Sequence, residues 1–175
     1  MSVTQLVLRT LELHDEAAFY SATQTKVAEK QEFAFFWKPG LDYRDYLNLL
    51  QKMEKGIDLP DSWVPGTLLF GFVGNRIVGR LSLRHGLNEY LSKVGGHIGY
   101  LVFQEYRCRG YATEMLRQSL HFAKKLGIGR VLITCDDDNI ASQKTIEKCG
   151  GIFESLVQES ELEIPKRRYW IELSH

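Results

Sequence analysis

The chain has 175 residues, 44% of them hydrophobic, enough for one well-packed core and too few for two comfortable ones. Its 22 basic and 22 acidic residues balance, so no global field draws it to nucleic acid or to an anionic membrane, and the expected partner is a small molecule or a peptide. Three cysteines (Cys108, Cys135, Cys149), odd in number and without CxxC spacing, argue against a disulfide framework or a zinc site and for a reducing compartment.

No apolar run approaches the roughly 20 residues of a membrane span, and Met1 to Thr4 lack a basic-then-apolar leader, so a soluble cytoplasmic protein is expected. Gln5 to Arg9 alternates as a first strand, and Asp15 suits a helix cap before Glu16. Phe33, Phe35, Phe36 and Trp37 form an aromatic cluster that is either core or the wall of a substrate pocket, with core favoured. From Asp42 to Lys55, Tyr43, Tyr46, Leu47, Leu50 and Met53 share one helical face, and Gly56 stops the helix.

Asp58 to Gly66, with Pro60, Trp63 and Pro65, reads as a loop. Thr67 to Val73 and Arg76 to Arg84 flank the turn pair Gly74-Asn75 as a hairpin. A short helical turn over Glu89 to Lys93 follows, and Gly95-Gly96 open a central strand. Arg130 to Cys135 is almost continuously apolar, as a strand beside a parallel neighbour should be. Asp136 to Asn139 lead into a capped helix ending at Gly150-Gly151, and two strands, Ile152 to Glu159 and Lys166 to Leu173, finish the chain. The three aspartates lack the alternate ligands and terminal Glu of a calcium loop, so no metal is expected.

The most informative stretch is His97 to Thr113. An apolar strand reaches Phe103, and Arg107-Cys108-Arg109-Gly110-Tyr111-Ala112 then turns into a helix. That helix carries Ala112, Met115, Leu116, Ser119, Leu120, Ala123 and Leu126 on one face and Glu114, Arg117, Gln118, His121 and Lys125 on the other. The first-turn amides of a helix lack internal partners and carry about half a positive charge, so such a turn can hold a pyrophosphate by backbone alone. Neither the Gly-Lys-Ser/Thr of a Walker loop nor the three glycines of a dinucleotide fingerprint are present.

The Arg107 to Ala112 pattern, with Val102 five residues before it, resembles the acetyl-CoA-binding motif of the GNAT N-acetyltransferase superfamily. Asn139-x-x-Ser142 followed by Ile146 to Gly150 looks like that family's second motif. The strings Trp63 to Thr67, Ser82 to Asn88, Gly95 to Tyr100 and Arg168 to Trp170 resemble a group of bacterial single-domain members. The resemblance implies an α/β GNAT fold over residues 1–175, one mixed sheet of six to seven strands flanked by about four helices. It implies acetyl-CoA as cosubstrate, no metal, and direct acetyl transfer to a primary amine of a small molecule or peptide, with a homodimer left open. By match of position, Tyr100, Leu101 and Val102 would receive the pantetheine as an added strand. Arg107, Cys108, Arg109, Gly110, Tyr111, Ala112 and Thr113 would hold the diphosphate, and Asn139 and Ser142 the pantetheine arm.

Two departures bear on catalysis. The family's frequent basic Glu falls on Gly96, and its thiolate-protonating Tyr falls on Ile146. An amine with a pKa of about 10.4 must still lose a proton, so the expected base is His97, with His85 behind it and Tyr100 in competition. The rival readings are a non-catalytic acyl-CoA-binding or sensor domain and a nucleotide-phosphate binder.

Overall fold

The computed structural model describes residues 5–25, 32–158, 160 and 163–173. Period-2 alternation makes β1 (Leu6–Arg9) bury Leu6 and Leu8 while Val7 faces out. A 3-10 turn at Leu13–Asp15 leads into α1 (Glu16–Thr23). The next helix, α2 (Tyr43–Lys55), begins where the Asp42 carboxylate accepts from the amides of Arg44 and Asp45, and ends at Gly56 in the left-handed region. Then follow β2 (Gly66–Val73), β3 (Arg76–Arg84), β4 (Ile98–Val102), α3 (Tyr111–Lys125), β5 (Arg130–Asp136), α4 (Ile140–Lys148), β6 (Ile152–Val157) and β7 (Lys166–Glu172).

The strands form one seven-stranded sheet in the order β1-β2-β3-β4-β5-β7-β6, antiparallel throughout except where β4 meets β5. The expected mixed sheet of the GNAT type is therefore present. Each face carries its own core. Leu69, Leu81, Leu83 and Ile98 pack against Met115, Leu116 and Ala123 of α3 and Ile146 of α4. On the other face Leu68, Phe70, Leu101 and Phe103 pack against Phe19 of α1 and Tyr43, Tyr46 and Met53 of α2, with the Phe19 and Tyr46 rings stacked 4.8 Å apart. Each fully buried large side chain contributes about 1.5–3 kcal/mol.

Several expectations shift. Asp15 stands at the N-cap of α1 as expected, but its side chain makes no capping bond: its carboxylate receives both Arg9 nitrogens (2.6 and 2.7 Å) and the Glu12 amide (2.8 Å), since a cation and an amide of the preceding turn compete better than the helix amides. The turn expected at Glu89 to Lys93 is a π-helical turn at Leu91–Gly95. Leu126 lies beyond the end of α3 and is 46% exposed, not part of the apolar face. Gln118, expected on the solvent face, accepts from the Leu8 amide (2.8 Å) and donates to the Leu6 carbonyl (2.9 Å). Ile152, Phe153 and Leu156 stand exposed on the edge strand β6. The expected end of that strand at Glu159 lies outside the described residues, as do Met1 to Thr4.

Candidate active site

The sheet opens where β4 leaves β5. His97 grips β5 twice, its amide donating to the Leu132 carbonyl (2.7 Å) and its ring Nδ1 accepting from the Leu132 amide (3.0 Å). Ile98 opposite Ile133 is the one residue pair of the parallel ladder. Beyond it Tyr100, Leu101 and Val102 pair with β3 alone, so their edge toward β5 is open. Gly96 precedes this junction with φ +65°, and a Cβ there would stand 2.6 Å from the Leu132 carbonyl oxygen. A glutamate at this position would need both strain and a clash, so the missing family carboxylate has a steric cause.

At the far end of β4 the chain turns through Gln104–Tyr106 to the start of α3. Arg107 Nε donates to the Val102 carbonyl (3.1 Å) and Arg109 Nη2 to the Glu105 carbonyl (3.0 Å), so both arginines brace the turn. Cys108 (φ 60°) and Gly110 (φ 80°) are left-handed, and the amides from Cys108 to Thr113 donate to no backbone acceptor among the described residues. Nothing lies within 4 Å of where a Gly110 Cβ would be, so the mouth of α3 is open to a ligand. Tyr111, Ala112 and Thr113 form the first turn. An acidic or phosphate group fits there by the chemistry of the helix terminus.

Across the opening, Asn139 caps α4, its side-chain oxygen accepting from the Ser142 amide (3.0 Å). Tyr100 points to the same place. Its hydroxyl lies beside Ser142 and Thr145 of α4 but closes no hydrogen bond among the described residues. Burial pushes its pKa up to about 12, so the phenol keeps its proton at neutral pH. Burial likewise raises the Cys135 thiol to about 11, and Cys149 is raised for the same reason, which leaves neither a ready nucleophile.

The opposite face of the sheet holds a cavity of about 430 Å³ at the start of β2 and the end of β3. Phe35, Trp63, Met53 and Leu91 give it apolar walls, and Ser82 and Arg84 lie on its floor. Phe35 and Trp63 meet edge to face, 5.5 Å apart, so part of the aromatic cluster is pocket wall while Phe33 is core. Asn88, Tyr90 and Leu91, from the segment before β4, complete the walls. Arg80, buried beside the cavity, donates to the Glu32 carbonyl through Nε and Nη2 and covers the Phe35 ring. Its burial, then the nearby Arg84 charge, lower its pKa to about 10.

The two histidines differ. His97 is buried, and because Nδ1 accepts the Leu132 amide, the ring proton of the neutral form sits on Nε2, leaving no free lone pair. Burial, then Arg84, hold its pKa below the ordinary histidine value. His85 Nε2 lies 2.8 Å from Thr67 Oγ1, which also reaches Glu54 (3.3 Å). In the tautomer where Thr67 gives its single proton to Glu54, Nε2 is the donor and Nδ1 keeps its lone pair. Burial lowers the His85 pKa, with Glu54 opposing it.

The structure thus brings Tyr100, Leu101, Val102, Gly110, Ala112, Asn139 and Ser142 around one opening, and puts His97 in the strand junction. Thr67, Glu54, Ser82 and Arg84 were missed. A signal existed for two of them: Arg80, Ser82 and Arg84 alternate with the core residues Leu81 and Leu83, a polar stripe on a strand face that ought to be apolar. Among the described residues no His/Cys/Asp/Glu group is placed to hold a metal, and no helix is long and apolar enough to cross a membrane. Asp136 pairs with Lys166, and Asp137 with Arg167 Nε (2.5 Å).

A family model described as Acetyltransferase (GNAT) domain matches residues 5–152. The uncharacterized N-acetyltransferase YjdG of Bacillus subtilis (strain 168) is 34% identical over 56 residues, 31% of this chain and 33% of that protein. The chain therefore matches about a third of the length of this curated relative. An acetyltransferase of the GNAT family from Streptococcus pneumoniae superposes with a TM-score of 0.65 at 19% identity, covering 97% of this chain and 100% of that one. RimL, a ribosomal L7/L12 alpha-N-protein acetyltransferase solved with coenzyme A, gives 0.66 at 19% identity over 97% and 95%. A spermidine N-acetyltransferase chimera from Vibrio cholerae and hSSAT gives 0.61 at 17% over 96% and 95%. At these identities the structural likeness is one of fold.

Proposed function

This chain belongs to the GNAT acetyltransferase family, and from that premise we propose that it moves an acetyl group directly from acetyl-CoA to a primary amine of a small molecule or peptide. The observation that carries this reading is the opening between β4 and β5, which runs toward the start of α3. The amides of Gly110, Tyr111, Ala112 and Thr113 would receive the diphosphate, with Arg107, Cys108 and Arg109 as the turn that aims them. The edge of Tyr100 to Val102 that no strand covers would pair with the pantetheine amides up to the Val102 carbonyl held by Arg107, and Asn139 Nδ2, not used in capping, would donate to the same arm beside Ser142. Acetyl-CoA supplies the activated acyl group.

The chain's own groups then divide the proton work. His85 is the proposed base, because Thr67, itself bonded to Glu54, holds Nε2 and so favours the tautomer with a free lone pair on Nδ1. Tyr100, fully protonated and with its hydroxyl unpartnered, is a hydrogen-bond donor for the departing sulfur in place of the absent Tyr at Ile146. His97 is proposed as the clasp of the strand junction, and Tyr100 is withdrawn as a base because a phenol that stays protonated cannot take a proton. The neighbours' substrates, a ribosomal protein N-terminus and spermidine, span both peptide and small amines.

Release of free CoA thiol during incubation with acetyl-CoA and an amine panel tests the proposal. Tight acetyl-CoA binding with no release on any amine would favour the sensor reading, for which Gly96 and Ile146 are the specific support.

A further inference from the structure

Among the described residues that line the cavity, Arg84 is the one cation, and its hydrogen bonds are half spent. Nη1 donates to the carbonyls of Gly95 (3.1 Å) and Gly96 (3.0 Å). Nε and Nη2 have no partner among the described residues, and no carboxylate pairs with the guanidinium. That unused edge is the side-on face of the fork, two parallel donors spaced for a carboxylate. The guanidinium is half-buried with no anion beside it, which is costly, and burial holds its pKa below the ordinary value. The loss is recovered when a ligand brings the missing charge.

The position fits the reaction. A Cβ placed on Gly99 would lie 3.3 Å from Ser82 Oγ and 4.0 Å from Arg84 Nη1, so Ser82 and the bonded end of the guanidinium stand beside the strand where β4 leaves β5. Cations dominate the floor, since Arg80 lies near Arg84, and among the described lining residues the one carboxylate, Glu32, is exposed at the side, while Glu54 behind Thr67 is engaged by its hydroxyl. A polyamine would meet cations where it needs acids. An amine held beside these cations, by contrast, has its own pKa lowered and is more readily the neutral nucleophile.

We propose that the acceptor is an α-amino acid with a large apolar or aromatic side chain, its carboxylate seated on the Nε–Nη2 edge of Arg84 and its side chain against Phe35, Trp63, Met53 and Leu91. The cavity of about 430 Å³ has room for such a molecule, and its described lining offers a single carboxylate, Glu32, to a cationic one. This assignment rests on the acetyl-transfer reading for the identity of the reacting nitrogen, but the carboxylate seat can be tested by binding alone.

The test is calorimetry of the full chain saturated with CoA, titrated with L-phenylalanine, L-leucine, L-methionine and L-tryptophan, each against its α-amide and decarboxylated amine, with spermidine alongside. The expected result is at least one amino acid bound tenfold or more tightly than its amide and amine. Arg84→Gln should erase that ratio and leave CoA affinity unchanged. Arg84→Lys, which keeps the charge and loses the fork, should keep part of it. No preference for any amino acid over its amide, or spermidine bound most tightly, overturns the proposal, and this comparison needs only the wild-type chain. Thiol release is measured in parallel. Amino-acid preference without CoA release would leave the carboxylate seat standing and end the transfer reading. Release from amines of every charge class without that preference would do the reverse.

Discussion

A histidine's chemistry depends on what each ring nitrogen touches, and that is decided by residues far away in sequence. His97 stands beside the missing Glu in the chain, which made it the leading base, yet its Nδ1 is used by Leu132 of a strand that follows 35 positions later. His85 owes its free nitrogen to Thr67 and Glu54, on two other elements. Burial, opposed by Glu54, lowers the His85 pKa, so kcat/KM should rise with pH through an inflection below about 6.5, and His85→Ala should lower the plateau by about 10²-fold. An alanine variant with full activity at every pH would leave proton removal to water. For His97 the expectation concerns stability. Its folded pKa lies below the unfolded value, so the unfolded chain binds the proton first as pH falls; the stabilisation is full above about 6.5 and lost as pH falls through the folded pKa. In His97→Asn an amide oxygen can accept from Leu132 without titrating. Urea midpoints from pH 7.5 to 5 should fall less in that variant than in the wild type, and equal falls would show that His97 does not carry the effect.

Elements were legible where one pattern governs a whole segment. The 3.6 period and the Asp42 and Gly56 caps fixed α2, and the Gly74-Asn75 pair fixed the hairpin, because these signals are local. Gln118 was misplaced because its helix face turns onto β1, where one side-chain amide satisfies both an N–H and a C=O of the strand edge. Gln118→Ala would leave both unpaired in a partly covered site. A loss of about 1–3 kcal/mol is expected, read as a lower urea midpoint with unchanged slope. At the start of α3 the sequence was a better guide, since glycine at a turn entering a helix has few meanings. Gly110 is left-handed with open space above it, and Asp tolerates that backbone region better than most residues, so Gly110→Asp should fold with a cost of about 1 kcal/mol. A carboxylate there faces the helix terminus as the diphosphate would. Acetyl-CoA affinity should fall far more than stability does, and unchanged affinity in the folded variant would move the diphosphate elsewhere.

At the scale of the molecule, the sheet separates two working sides that sequence order does not reveal. The start of α3 and the cap of α4 belong to the face carrying the Met115 and Leu116 core, whereas the cavity of Ser82 and Arg84 adjoins the face carrying the Phe19 and Tyr46 core. The sides meet where β4 parts from β5, beside Gly99. Two ligands arriving from opposite faces need not displace one another, so both can be seated when the acetyl group moves. The alternative, a covalent acyl-enzyme, needs an activated nucleophile at that junction, and the nearest thiols are poorly suited: Cys135 is buried with its pKa raised to about 11, and Cys149 is raised as well. Initial-velocity plots at varied acetyl-CoA and amine should therefore intersect, as for a ternary complex. The intact mass after incubation with acetyl-CoA alone should show no stable added acetyl group, and Cys135→Ser should keep most of the activity. Parallel plots together with an acetylated protein would place the transfer through the chain itself, and the sheet would then separate two half-reactions.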